Sequence, residues 1–235
     1  MHISNRGGMV TNCVISGGYI RENSPGGANV AIVSEAGLVT HCVIEGGKIT
    51  DNAGEAYDRA TGVYMSAGRL ENCLLRGNYV TSGQYSRGVL IAIGTAQVLN
   101  CTVAGNFGEC ADYKGIHQFG NAVVKNTVSF GNTKTVEDMT TVVPYSGAAA
   151  NFANCATDGE AAINETCKLI TSAAFKDYAN GDYTPVAGGA LYNAGATPEG
   201  WENLTDLAGG PRVVCKAIDI GCYEGKAAGM LLIVR

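Results

Sequence analysis

Apolar positions along this chain fall in short runs separated by polar or glycine-containing turns, and one such run recurs. It consists of Asn or His, then Cys, an apolar residue two positions after the Cys, and Gly four positions after it. Copies stand at GMVTNCVISGGYI (8–20), GLVTHCVIEGGKI (37–49), GRLENCLLRGNYV (68–80) and AQVLNCTVAGNF (96–107). Thr127 replaces the Cys in a fifth copy, which follows the fourth at a similar interval. A recurring period of about 20–50 residues predicts a repeat architecture.

Each repeat has the pattern strand, turn, strand, turn, strand and loop, as in GVYMS (62–66), RLENCLL (69–75) and YVTS (79–82). Three short strands per repeat favour a parallel β-helix over a leucine-rich repeat, which needs a fixed Leu spacing and usually a helix. Coils of this kind stack about 4.8 Å apart, and the crossover rule makes them right-handed. We therefore predict an all-β fold. It comprises a right-handed parallel β-helix of about five clear coils over residues 1–133 and a C-terminal continuation or cap over residues 134–235.

Stacked coils place equivalent residues in ladders, which explains the repeated phrase. In each copy the Cys and the apolar residue two positions later are expected to point inward, because Cys is small, apolar and polarizable. The preceding Asn is expected at a bend, where its amide can bond the backbone of the next coil. The predicted structural ladder consists of Cys13, Cys42, Cys73, Cys101, Asn12, Asn72, Asn100 and Asn126, with His41 replacing Asn once.

A second fixed turn follows each anchor. Gly stands four positions after it, and the next residue is Gly or Asn, two residue types that tolerate positive φ. The turn pairs are Gly17-Gly18, Gly46-Gly47, Gly77-Asn78, Gly105-Asn106 and Gly131-Asn132.

Composition narrows the range of partners. The net charge is −5 and no run of Lys or Arg occurs, so nucleic-acid binding is not expected. The longest apolar run, near GMLLIVR (229–235), is too short for a membrane span. The N-terminal MHISNRGG has no apolar core of a signal peptide, so we expect the chain to be a fragment or a processed form of a longer exported protein.

The C-terminal region adds a resemblance to a known family. NGDYTPVAGGALYNAG (180–195) and DLAGGPRVVCKAIDIGCYE (206–224) resemble the C-terminal signature of choice-of-anchor Q domain proteins. Gly188-Gly189-Ala190 departs from the usual Gly-Ser-Pro of that signature, and Cys222 stands where a small residue is common. The resemblance implies a bacterial, secreted or cell-surface β-helix protein without a defined activity.

Five cysteines lie outside the predicted ladder. In an exported cap, Cys155 with Cys167 and Cys215 with Cys222 could form disulfides, and Cys110 is left over in a loop. There is no Cys-x-x-Cys, and His2, His41 and His117 lie in different coils. Neither a metal site nor any cofactor is therefore expected.

Carbohydrate-active enzymes use this fold, so we ask whether the sequence contains candidate catalytic residues. A glycoside hydrolase needs converging carboxylates, and a polysaccharide lyase needs acids that bind calcium together with a basic residue. The strands NVAIV (29–33), GVYMS (62–66), GVLIAI (88–93) and GIHQF (115–119) contain no Asp or Glu. Catalysis would then depend on loop acids, with Asp51, Glu55, Asp58, Glu109 and Asp112 as candidates. His117 is interpreted as a structural or solvent-facing residue, and no catalytic residue is assigned.

The loops that close successive coils align on tyrosines that recur at equal intervals, and a cation follows each tyrosine. Such a row can bind sugar rings or anionic polysaccharide. The alternative is a structural loop stack. The candidate ligand-binding residues are Tyr57, Arg59, Tyr85, Arg87, Tyr113 and Lys114.

From the sequence we expect a non-catalytic extracellular or cell-surface protein that serves in adhesion, glycan binding or surface assembly, with polysaccharide as its partner. Two alternatives stay open. One is a polysaccharide lyase or glycoside hydrolase. The other is a structural protomer that stacks end to end into filaments, as a homo-oligomer, through the apparent strands at residues 2–4 and 229–235.

Overall fold

The structure, a computed structural model, describes residues 3–21, 32–50, 59–80, 86–110, 112–200, 203–214 and 216–226. In these residues almost all regular structure is β-strand, and strands of successive coils pair in parallel. The predicted all-β parallel β-helix is confirmed.

The first five coils supply three or four strands each. They are β1 (Ile3–Thr11), β2 (Val14–Ser16) and β3 (Tyr19–Arg21); β4 (Ile32–Thr40), β5 (Val43–Glu45) and β6 (Lys48–Thr50); β7 (Arg59–Met65), β8 (Arg69–Glu71), β9 (Leu74–Arg76) and β10 (Tyr79–Val80); β11 (Ser86–Ala92), β12 (Gln97–Leu99), β13 (Thr102–Ala104) and β14 (Phe107–Gly108); and β15 (Ile116–Gln118), β16 (Val123–Lys125), β17 (Val128–Phe130) and β18 (Thr133–Val136).

Shorter elements follow the fifth coil. They are β19 (Met139–Val142), β20 (Tyr145–Ser146), the 3₁₀ helix η1 (Ala149–Asn151), β21 (Phe152–Ala153), β22 (Ala156–Thr157), β23 (Lys168–Leu169), η2 (Ser172–Ala174), β24 (Phe175–Asp177), η3 (Tyr178–Asn180) and β25 (Asp182–Pro185).

Three long sheets run along the solenoid. Sheet A has ten strands and divides at β4 into the arms β4-β7-β11-β15-β20 and β4-β8-β12-β16-β21, with β1 paired to β4. Sheet B has the order β2-β5-β9-β13-β17-β22-β23, and sheet C has the order β3-β6-β10-β14-β18-β19. The solenoid has about four turns, so its coil count differs slightly from the predicted count of about five. We refer to the five sets of strands given above as coils.

The cysteine ladder lies between sheets A and B, as the repeat predicts. Cys42, Cys73 and Cys101 are fully buried, and each thiol donates to the carbonyl two positions earlier at 3.2 Å. Thr127 fits the same rung because its hydroxyl bonds Lys125 O in the same way, at 2.8 Å.

The ladder continues beyond the five copies on which the prediction rests. Pairing of Val128 with Ala156 and of Ala156 with Lys168 puts Cys155 and Cys167 on the next two rungs. Cys155 repeats the thiol bond to the carbonyl two positions earlier, Ala153 O, at 3.4 Å.

The predicted bend before each cysteine is a left-handed backbone position. Its residues have φ between 50° and 54°, a region that Asn tolerates better than other residues with a Cβ. They are Asn12, His41, Asn72, Asn100, Asn126 and Asn154.

The second turn differs in part from its prediction. Gly77, Gly105 and Gly131 have positive φ, but the asparagines that follow them do not adopt it and are instead buried. Asn106 illustrates their role: its Nδ2 bonds Leu75 O, Ala104 O and Asn132 Oδ1 at 2.8–3.1 Å. Asn78 and Asn132 extend this second amide ladder inside the solenoid.

The C-terminal region packs beside the solenoid, on the outer face of sheet B. Phe175, Leu191 and Ile220 form a second core with outward side chains of sheet B such as Leu74 and Val128. This arm (residues 171–226, as far as described) contacts the bend ladder at two separated coils. His41 Nε2 lies 3.0 Å from Thr205 Oγ1, and Asn126 exchanges hydrogen bonds with the backbone of Ala196 at 2.8 and 3.0 Å.

A buried cluster of charged side chains holds the end of this arm together. Arg212 is fully buried, and its Nε lies 3.2 Å from Glu224 Oε1. Its two terminal nitrogens donate to Gly221 O and Asp219 O at 3.0 Å. The carboxylates of Asp206, Asp219 and Glu224 accept backbone N–H groups of the same segment. The four buried charged residues of the second signature segment, Asp206, Arg212, Asp219 and Glu224, are therefore structural here.

Candidate functional site

The predicted tyrosine row is not supported where the structure describes it. Tyr113 is fully buried rather than displayed, and its ring lies against Gly108, where a Cβ would clash with it. Burial raises the pKa of its phenol well above the usual value. Tyr57 and Tyr85 lie outside the described residues. The equal spacing of the tyrosines predicted a common register, but it carried no information on whether Tyr113 points in or out.

The cations after these tyrosines occupy different settings. Arg59 begins β7 and pairs with Ser86, the residue before Arg87 in β11; the side chains of both arginines lie outside the described residues. Lys114 is partly buried and belongs to a charged cavity on the same side of the solenoid.

This cavity, here called the His117 cleft, has a volume of about 300 Å³ and is lined by Asp112, Lys114, His117 and Ser146. Strands β15 and β20 position its floor, because His117 pairs in register with Ser146. The His117 Nδ1 and Ser146 Oγ atoms are 2.7 Å apart. Side chains from two adjacent coils thus converge on one opening.

Strand alternation explains why these groups face outward. In β15 and just beyond it, Ile116 and Gln118 point inward and are buried, so His117 and Phe119 point outward. Gln118 is fixed by hydrogen bonds to Gly120 O and Ala122 O, both 2.9 Å. Phe119 leaves 66% of its surface exposed and adds an aromatic side chain next to the cleft.

The cleft contains one basic and one acidic side chain, Lys114 and Asp112. Burial first, and then the charge of Lys134, lower the pKa of Lys114, whereas the charge of Asp112 acts in the opposite direction. Two lysines therefore lie close enough to repel each other. An anionic ligand relieves that repulsion, and the Ser146 hydroxyl and the His117 ring add hydrogen-bonding groups.

The sequence interpretation of His117 as an isolated residue missed Ser146. Ser146 follows His117 by one repeat interval, which puts the two residues at equivalent positions of adjacent coils. That interval was one available signal. A second was Asn154-Cys155, with Gly159 four positions after the Cys, which repeats the phrase except for Thr157 at its apolar position.

The loop carboxylates predicted for catalysis do not form a described pair. Asp112 lines the cleft, whereas Glu109 accepts the hydroxyl of Tyr79 at 2.8 Å on the outside of sheet C. There the Tyr79 ring stacks on Phe107 at 5.1 Å, with Lys48 over its other face. Asp51, Glu55 and Asp58 lie outside the described residues.

The cysteines of the described residues are free thiols, which corrects the predicted Cys155–Cys167 disulfide. These two residues are neighbouring rungs of the interior ladder. A hydrogen bond from the Cys155 thiol lowers the pKa of Cys167 to about 6. Cys222 is likewise a buried free thiol; its predicted partner Cys215 lies outside the described residues. Cys110 is buried and is not part of an exposed loop surface.

Metal-ligand clusters and membrane-spanning helices are both absent from the described part of the chain. It contains no group of three or more His, Cys, Asp or Glu residues placed to hold a metal ion. Its helices also lack the length and apolarity needed to cross a membrane.

Comparison with protein-family models, with curated proteins and with solved structures gives no match. The parallel β-solenoid is established by the structure itself, and the resemblance to choice-of-anchor Q proteins stays a prediction.

Proposed function

We propose that this protein is a non-catalytic glycan-binding β-helix that takes acidic polysaccharide at the His117 cleft. The observation that carries the proposal is the convergence of Lys114, His117 and Ser146 on one cavity of about 300 Å³. A cavity of this size lies at the lower end of the range for ligand sites, and it suits one sugar residue of a longer chain.

The charge of the cleft supports an acidic ligand. Lys114 lines the cavity, so a carboxylate or sulfate group that reaches its amine would gain charge-assisted hydrogen bonds. The exposed ring of Phe119 offers an apolar face to a neighbouring sugar. Secretion and a cell-surface location, both expected from the sequence, stay predictions and fit this class of ligand.

A polysaccharide lyase is the second candidate, because the lowered pKa of Lys114 is what a general base requires. In such a reaction the Lys114 amine would take the proton at C5 of a uronate. The electron pair would form the C4–C5 double bond, and the glycosidic oxygen at C4 would leave and take a proton from solvent. A glycoside hydrolase is less favoured, since the described lining of the cleft contains the single carboxylate of Asp112.

Affinity electrophoresis against polygalacturonate, sulfated dextran and neutral dextran tests the proposal. We expect the acidic polymers to retard the protein and neutral dextran to leave its mobility unchanged. Lys114→Met should weaken binding about tenfold, the equivalent of one charged hydrogen bond. Lys125→Met is the matched control, because Lys125 is an exposed lysine of β16 in the other arm of sheet A.

Retardation that is equal for the two variants would place binding away from the cleft and defeat the proposal. Ultraviolet absorbance of unsaturated uronate, together with shortened polygalacturonate, would establish the lyase instead. Intact polymer with cleft-dependent retardation supports the binding protein.

A further inference from the structure

The last strand of sheet B, β23, lies beside an apolar groove where the solenoid meets the C-terminal arm. The groove has a volume of about 340 Å³. Its lining joins the end of sheet B to small residues of the arm and consists of Leu169, Ile170, Thr171, Ala173, Ala174 and Ala190. Apart from the threonine, every lining residue is apolar, so the groove fits an apolar occupant.

Leu169 occupies an interior position at the end of the inward row of sheet B. The register pairs Leu169 with Thr157, Thr157 with Ser129 and Ser129 with Val103. Val103 and Thr157 are fully buried, whereas 48% of the Leu169 surface is exposed. The side chain that would be covered by a further strand therefore opens into the groove.

The backbone of β23 has a pairing edge at the same place. Lys168 N–H donates to Cys155 O, and Ile170 N–H donates to Thr157 O. Because alternate residues of a parallel strand bond opposite neighbours, the N–H and C=O groups of Leu169 point away from β22. Among the described residues β23 is the last strand of sheet B, so this edge is available to one more strand.

Sheet B differs from sheet A in that apolar residues cover it on both faces. Its inward side chains, such as Leu75, belong to the interior core, and its outward side chains, such as Leu74, pack against the arm. The two arms of sheet A end in β20 and β21 and have polar outer positions, Ser146 in β20 and Lys125 in the strand before β21. A strand that extends sheet B therefore needs apolar side chains on both of its faces.

The sequence contains a segment of this composition near the end of the arm. GMLLIVR (229–235) includes five consecutive apolar residues, 230–234. Side chains of a strand alternate between its two faces, so a strand formed by this segment is apolar on both. Such a run is typical of a strand that is buried on both sides.

The described chain brings this segment close to the groove. Gly225 lies against β25, where a Cβ on it would clash with Pro185 O. The next residue, Val186, donates its N–H to Ala174 O at 3.0 Å, and Ala174 lines the groove. The four residue steps from Gly225 to Gly229 span up to about 14 Å, which is enough to cross the two strands of this hairpin.

We propose that residues 229–235 form a further strand on β23 of the same chain. One apolar face of this strand covers Leu169, and the other packs against Ala173 and Ala190 of the arm. The segment thereby closes the end of the interior core. This role goes beyond glycan binding at the His117 cleft. It also commits the segment to its own chain, in contrast to the end-to-end filament considered from the sequence.

Amide hydrogen exchange of Leu169 in the full chain tests the proposal. We expect slow exchange in the wild-type protein, because the added strand bonds this N–H. The double variant Leu231→Asp/Leu232→Asp puts a charge on each face of the segment and should speed exchange about tenfold, the equivalent of one lost hydrogen bond. The control Ala227→Asp/Ala228→Asp adds the same charge outside the apolar run and should leave the rate unchanged.

A second pair of variants changes the groove instead of the segment. Ala173→Asp, at an exposed lining position, should speed exchange of Leu169 by a similar factor. Ala187→Asp, at an exposed position of the arm outside the described lining, should not. The amide of Val103, inside sheet B, should stay protected in every variant, which shows that the solenoid is folded.

The proposal is supported when both the segment and the groove variants speed exchange and their controls do not. Fast exchange of Leu169 in the wild-type protein, or equal rates in a variant and its control, would overturn it. Protection that grows with protein concentration would also overturn it, because the segment would then be bound by a second copy of the chain.

Discussion

The solenoid and the C-terminal arm hold their cores together in opposite ways. The solenoid repeats the same small contacts at every coil: a thiol to a carbonyl, an amide to an amide, and an apolar side chain over its counterpart. The arm has no repeat, and beside its apolar core it contains one buried arginine that bonds Glu224 and two backbone carbonyls. Stability is thus distributed along the solenoid and concentrated in the arm.

The largest loss of stability is expected from removing Arg212, the buried arginine of the arm. Arg212→Met deprives Glu224, Gly221 O and Asp219 O of the buried group that they bond, which costs about 3–5 kcal/mol. Urea unfolding and limited proteolysis of the arm measure this loss. The control Arg69→Met removes an exposed pair with Glu71 and should cost less than about 1 kcal/mol. Equal losses of stability in the two variants would contradict the conclusion that Arg212 contributes strongly to the stability of the arm.

A smaller loss is expected from removing one rung of the second amide ladder. Asn106→Ala leaves buried groups of Asn78, Leu75 and Ala104 without their hydrogen bonds, at a cost of roughly 2–3 kcal/mol. Urea unfolding again measures it, with the exposed Asn121→Ala as control. A change below about 0.5 kcal/mol would show that the ladder does not stabilise the solenoid.

The smallest effect is a pH dependence confined to the arm. Burial raises the pKa of Glu224 from 4.5 to about 8, with the Arg212 charge opposing the shift. A raised pKa favours the protonated folded state, so this stability is present below pH 4.5 and is lost as the pH rises through 8. We expect a loss of roughly 1–2 kcal/mol between pH 7 and 9. Glu224→Gln should flatten the profile; an unchanged profile would refute the assignment.

The sequence predicted the structure correctly at positions where the residue type has one common structural role in this pattern. Asn before Cys predicts a left-handed bend and an inward thiol, and Asn72 and Cys73 occupy those positions. The prediction was wrong where the same residue type can serve two structural roles, as Asn can in a turn or in an interior hydrogen-bond ladder. Asn78 follows the Gly pattern of earlier coils, so it was assigned to a turn, although its amide is an interior ladder group.

The site was harder to predict than the fold because it depends on direction and on distant pairing. Spacing placed Tyr113 in a row but could not show that it lies inside the solenoid. His117 needs Ser146 from the next coil, and the predicted repeat stopped short of that coil although Asn154-Cys155 marks it. The arm contacts at His41 and Ala196 likewise join segments that no local pattern connects.

The two contacts of the arm with the bend ladder, at His41 and Asn126, fix the length of solenoid that lies between them. His41 lies in the second coil and Asn126 in the fifth, three coil intervals or about 14 Å apart. A coil inserted or deleted between them would displace one anchor by a full strand spacing. The arm therefore fixes the number of coils between His41 and Asn126. Duplication of coils, by which repeat proteins change size, is compatible with the arm only outside that stretch.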